Sequence, residues 1–162
     1  MDAKLKPTMT LPVLTIKNNV LFPLLMMPIT ITRESSLAAV ESALNSEDKI
    51  IVIVPQRSAH IADPKPQDLY QTGTLAVIKK MIRLENSVQI LVQGIQRVRL
   101  LDAEFEQPYL KMRVQLLLDP DDWNTEIEAR YRAVMELGGK IIKLAQPNTP
   151  LDLAYLISET SH

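Results

Sequence analysis

Hydrophobic and polar positions change period once along this chain, from the period of strands to that of helices. Leu11 to Ile16 predicts a first strand, closed by Lys17-Asn18-Asn19, because asparagine tolerates a left-handed backbone. Val20 to Phe22 resumes an extended path, and Ile29 and Ile31 alternate with Thr30 and Thr32, as in a half-buried strand. Leu37, Val40 and Leu44 then fall at i, i+3 and i+7 and predict one helix, with Glu34 in its first turn and Ser35 or Thr32 as its cap. Ile50 to Val54 is a continuous β-branched run, the mark of a buried strand. Leu75 to Leu84 and Val88 to Val92 flank Glu85-Asn86-Ser87 and predict a hairpin. Gly94 marks a bulge or bend before Val98 and Leu100, with Arg97 and Arg99 on the opposite face. Leu110, Met112, Val114, Leu116 and Leu118 alternate with Lys111, Arg113 and Gln115 in a last amphipathic strand.

Asp119-Pro120-Asp121-Asp122 ends this pattern. Thr125-Glu126-Ile127-Glu128 reads as a capping box, and Ile127, Tyr131, Val134, Gly138, Ile141 and Ala145 recur at helical spacing. A mid-helix glycine costs about 1 kcal/mol, so Gly138-Gly139 predicts a close helix contact or a kink. Pro147 stops this helix, and Pro150 starts another that carries Leu153, Leu156 and Ile157. Strands with one helix, then helices only, predict an α+β chain: a β-rich barrel or sandwich followed by a helical extension. The expected divisions are a flexible start over 1–10, a β-rich domain over 11–118 and a helical region over 119–162.

One stretch resists the simple pattern. Leu11 to Ile29 is apolar yet holds Pro12, Pro23 and Pro28, each of which fixes φ and removes a backbone donor. Val13, Leu14, Ile16, Val20 and Phe22 are the expected core residues. Leu24-Leu25-Met26-Met27, bracketed by two prolines, has two readings. Inside, these residues are ordinary core. Outside, they form an adaptable apolar patch, because methionine is flexible and polarisable. The polar stretch Gln56 to Gln71 is long for a connection, and long loops are functional or mobile.

Composition narrows the function. Lys+Arg is 18 against 19 Asp+Glu, and a nucleic-acid surface ordinarily needs a basic excess or stripe. Lys79, Lys80, Arg83, Arg97 and Arg99 are the candidates for such a face. Cysteine is absent, which removes disulfides and thiolate metal sites and fits a reducing compartment. MDAKLKPTMT lacks the apolar core of a signal peptide, and no run reaches the roughly 18–20 apolar residues of a membrane span. A cytoplasmic location is expected.

No motif in the chain meets the spacing that its chemistry requires. Gly139-Lys140 is the only Gly-Lys pair, but Val134 and Ile141 stand where a phosphate loop needs Gly and Ser/Thr. His60 and His162 have no neighbours at metal-ligand spacing. Asp119, Asp121 and Asp122 lack the glycine and distal glutamate of a calcium loop, so turn duty explains them. No catalytic, cofactor-binding or metal residue is predicted here.

Two blocks carry a resemblance. Leu11-Pro12-Val13-Leu14, Ile16-Lys17-Asn18, Val20-Leu21-Phe22-Pro23 and Pro28-Ile29 resemble the opening of the N-terminal domain of Lon, the ATP-dependent serine protease. Gly73-Thr74-Leu75-Ala76-Val77-Ile78 and Ile90-Leu91-Val92-Gln93-Gly94-Ile95-Gln96-Arg97 resemble its second signature, a Gly-Thr strand start and a Gly-x-x-Arg bend. The chain departs from the pattern at Thr15, usually proline, at Asn18, usually aspartate, and at Asn86-Ser87, often Asp-Gly. The resemblance implies a PUA-like β-barrel with one embedded helix. It implies recognition of unfolded or tagged protein substrates and support of a hexamer. It places the ATPase, with its ATP and Mg, and the Ser-Lys protease further along a longer chain. Leu24, Leu25, Met26 and Met27 are the candidate partner surface. The alternative is a free-standing adaptor or a PUA-like RNA-binding module, motivated by the basic hairpin residues.

Overall fold

The alternating segments form six strands and one helix in the computed structural model, which describes residues 8–105, 107–118 and 124–145. The order is β1 (Thr8–Ile16), β2 (Met26–Ile31), α1 (Glu34–Leu44), β3 (Ile50–Pro55), a 3-10 turn (Pro66–Asp68), β4 (Thr72–Arg83), β5 (Val88–Phe105) and β6 (Lys111–Leu116). α2 (Thr125–Ala145) follows. The chain divides into two units, Met1–Asp119 and Pro120–His162.

In the first unit the strands run β5-β4-β3-β1-β6, and β6 pairs again with β5, closing a ring. β2 lies outside the ring, antiparallel to the first half of β5. β1 and β3 are parallel, and α1 lies in the connection between them. Closure leaves the ring strands no long free edge, and α1 covers the face outside it.

Two apolar clusters result. One fills the ring with Val13, Val52, Val54, Leu75, Val98, Leu100, Met112 and Val114. The other joins α1, through Ala39, Val40 and Ala43, to Leu14, Ile16, Ile51, Ile53, Ile90 and Val92. β3 supplies alternate residues to both, which is why it reads as an unbroken apolar run. Each such fully buried aliphatic side chain contributes about 1.5–3 kcal/mol.

The expected bulge lies at Gly94. Leu75 pairs with Gln96 but Ala76 pairs with Gly94, so Ile95 is the extra residue. An extra residue inverts the faces of a strand. Val88, Ile90 and Val92 therefore serve the α1 cluster, while Val98 and Leu100, at the same parity, serve the ring.

Several expectations need correction. Residues 8–10 of the start expected to be flexible over 1–10 are strand, because Thr8, Met9 and Thr10 pair with β6; residues 1–7 lie outside the described residues. The α1 N-cap is Arg33, without a side-chain cap bond, rather than Ser35 or Thr32. α2 is capped one residue earlier than expected: Asn124 Oδ1 accepts from the backbone N–H of Glu126 and Ile127, both at 3.0 Å. α2 runs unbroken through Gly138-Gly139, and a Cβ on either would meet nothing within 4 Å, so no close contact explains them among the described residues. The Asp119–Asp122 turn and the helix from Pro150 lie outside the described residues.

The hairpin turn also differs in detail. Leu84 N–H donates to Ser87 O at 2.9 Å, and Asn86 does not adopt a left-handed φ. Asn18 does, at φ 54°, as its residue type predicts.

Candidate functional site

The site begins with a tight turn. Leu25 N–H donates to Phe22 O at 3.3 Å, with Pro23 second and Leu24 third at φ 67°. This is the type II pattern, whose third position normally takes glycine. A leucine there is strained by about 1–2 kcal/mol.

Distant residues hold the turn. Leu24 N–H donates to Gly94 O at 3.0 Å, and Gly94 N–H donates to Leu25 O at 2.9 Å. A Cβ on Gly94 would lie 2.3 Å from Phe22 O, so only glycine permits this approach. The Thr74 hydroxyl donates to Leu21 O at 2.6 Å, and Leu21 itself is buried. Gly73 allows a second close approach, since its Cβ would lie 2.8 Å from Ile53 O. The Gly-Thr and Gly-x-x-Arg blocks, far apart in sequence, therefore converge on this turn.

The anchored backbone turns apolar side chains outward. Phe22 is 59% exposed, Leu24 74%, Leu25 56% and Met26 55%. Met27 is half-buried and packs against the α1 cluster. The four candidate residues thus divide three to one. Val13, Leu14 and Ile16 are core as expected, but Val20 and Phe22 are exposed. The reason is that the chain leaves the sheet after Ile16, and of the 20–22 segment only Leu21 turns inward.

The three prolines now have places. Pro12 lies one residue before β1 begins pairing with β3. Pro23 occupies the turn position that favours its φ. Pro28 lies in β2, which pairs only with β5, so its missing donor is tolerated.

Beside the turn lies a groove of ≈ 460 Å³. Val20, Phe22 and Pro23 line it from the turn and its approach, Pro55 from the end of β3, and Arg57 and Tyr70 from the segment that follows. The Arg57 guanidinium carbon lies over the Tyr70 ring, 5.0 Å from its centroid. Its Nε donates to Leu69 O at 2.9 Å, and its backbone N–H donates to Asp68 O at 2.7 Å. The Gln56–Gln71 stretch is ordered from within: the buried Gln56 amide donates to Ser58 O at 2.6 Å and to Ile61 O at 3.0 Å. Nothing in the local sequence pattern marks Arg57 and Tyr70. Their proximity depends on the path of the connection between β3 and β4, which has no periodic signal.

Arg33 is the other polar centre. Its guanidinium donates to Thr15 O, Thr15 Oγ1 and Ala62 O, each at 3.0 Å. The threonine at position 15 thus supplies a second acceptor. Burial lowers the Arg33 pKa from its ordinary value, and Asp63 acts in the opposite direction. Arginine stays charged at ordinary pH, so this is a permanent tie between β1, α1 and the loop.

The basic residues are spread along β4 and β5. Thr74 pairs with Arg97, and Arg83 pairs with Val88, at opposite ends of β4. Nine residue steps separate these pairs, roughly 30 Å along an extended strand. Arg83 is also engaged with Glu41 at 3.1 Å. Among the described residues no group of three His, Asp or Glu is placed to hold a metal. No described helix is long and apolar enough to cross a membrane.

Comparison with known proteins places this arrangement. Residues 10–162 match the family model for the ATP-dependent protease La (LON) substrate-binding domain. The chain is 48% identical over 148 residues to Lon protease of Nitrosococcus oceani, covering 91% of this chain and 19% of that protein. It is 38% identical over 150 residues to Lon protease 2 of Herpetosiphon aurantiacus, covering 92% and 18% respectively. The chain therefore spans about a fifth of the length of these relatives. In structure it resembles the N-terminal domain of Mycobacterium avium complex Lon protease, with a TM-score of 0.69 at 20% identity, over 91% of this chain and 75% of that one.

Proposed function

The chain belongs to the Lon substrate-binding domain family, and on that footing we propose that it captures unfolded or tagged proteins for an ATP-dependent Lon-type protease. The exposed apolar turn, Phe22 to Met26, carries this reading. Its side chains present apolar surface on a fixed backbone, so binding orders little of the receptor. Flexible Met26 suits partners of varied sequence. An unfolded chain offers apolar segments that a folded one hides, which makes an exposed apolar tip a detector of unfolding.

The parent enzyme would be a cytoplasmic homohexamer acting in protein quality control. Its ATPase, using ATP and Mg, and its Ser-Lys peptidase would follow in the longer chain. Six copies of a weak site would multiply affinity through effective concentration. The encoding frame is expected to continue past His162 into a Walker loop; a stop codon there would favour a free-standing adaptor.

Titration of the 15N-labelled chain with an unfolded protein tests the reading. Amide shifts are expected at 22–29 or in the 56–71 loop. Saturating unfolded protein that moves neither set would refute the recognition role for this chain.

A further inference from the structure

The groove beside the turn carries a charge pattern that capture by apolar contact does not use. It is apolar where Val20, Phe22, Pro23 and Pro55 line it, yet Arg57 also lines it, and no carboxylate stands among its described lining residues. Arg57 is held in advance: its Nε donates to Leu69 O and its guanidinium carbon lies over the Tyr70 ring. A guanidinium fixed in this way loses little freedom when its remaining N–H groups take an anion.

From this we infer that the groove reads the C-terminal residue of a polypeptide, taking an apolar side chain against Val20, Phe22 and Pro55 and its free carboxylate on Arg57. This rests on the proposed capture function and specifies which part of a substrate enters this groove. In an extended chain, neighbouring side chains point to opposite faces. An internal acidic residue next to an apolar one would therefore face away from the groove. A C-terminal residue carries its carboxylate and its side chain on the same Cα, so one residue meets both demands. The volume of ≈ 460 Å³ accommodates a large side chain with its terminus.

The test uses the 162-residue chain and fluorescein-labelled unstructured peptides ending in Leu-Phe, identical except for a free carboxylate or an amide at the C-terminus. The free acid is expected to bind about tenfold more tightly at low salt, the difference shrinking as salt rises. Arg57→Gln is expected to bring the acid down to the affinity of the amide and to leave the amide unchanged. Equal binding of acid and amide to the unaltered chain would overturn the inference while leaving apolar capture standing. So would a preference that survives Arg57→Gln, or an amidated peptide with an internal aspartate that binds as well as the free acid. Failure of both peptides to bind, alongside an unfolded protein that also fails, would remove the capture function itself.

Discussion

Ile50–Val54 and Phe22–Met26 are two short apolar runs of one chain with opposite fates. The first is buried on both faces, with β1 on one side, β4 on the other, the ring core beneath and α1 above. The second is largely exposed, although nothing in its hydrophobicity predicts that. Backbone geometry separates them. β3 is β-branched and free of internal proline, so it pairs on both edges and its side chains must point inward. Phe22–Met26 begins with a proline turn, reaches a left-handed leucine, and is fastened by its backbone to Gly94. Fastening by the backbone leaves the side chains free to face solvent. Apolar content alone therefore does not mark a core; the hydrogen-bond partners of the backbone decide.

The contrast should break most visibly at Ile51. Ile51→Ala should lower stability by about 2–5 kcal/mol in urea unfolding, as expected for a fully buried isoleucine. Leu25→Ala should stay within about 0.5 kcal/mol of the parent. Equal losses at the two sites would erase the distinction between the runs.

Gly94→Ala should come next. Its new Cβ would press on the Phe22 carbonyl, at a cost of about 1–3 kcal/mol. Amide shifts should spread through 22–25, and affinity for unfolded protein should fall. An unshifted turn would show that Gly94 does not position it.

Leu24→Gly should act in the other direction. Release of the left-handed strain, less the entropy glycine gains on unfolding, should raise stability by up to about 1 kcal/mol. Peptide binding should weaken because an exposed leucine is lost. A variant that is less stable would mean Leu24 packs rather than projects.

The smallest effect is expected in α2. Gly139→Ala has open space around its new Cβ and should stabilise the helix by about 0.5–1 kcal/mol, seen as greater helical ellipticity on warming. The same substitution thus changes sign between Gly94 and Gly139, because one glycine is packed against backbone and the other is not.

The parts of this fold that were legible in the sequence are those built from local pattern. β3 was visible in Ile50–Val54, α1 in Leu37, Val40 and Leu44, and the bulge in the glycine at 94. The turn was visible only as prolines in an apolar stretch. Its exposure depends on Thr74 and Gly94, which lie 53 and about 70 residues away in sequence and leave no periodic trace. That is why Val20 and Phe22 were expected inside. Leu24 hides its conformation, since a type II turn normally announces itself by glycine. The Arg57–Tyr70 contact was illegible for a similar reason: a loop brings the two together, and no residue between them signals it.

The central claim is that the exposed turn captures unfolded chains while contributing little to stability. Replacing Phe22, Leu25 and Met26 together by serine tests it most directly, with thermal unfolding and affinity for a permanently unfolded protein measured on the same sample. Affinity should fall by about tenfold or more with the melting temperature unchanged, as expected when exposed anchor residues are removed. Undiminished affinity in a folded triple variant would contradict the claim.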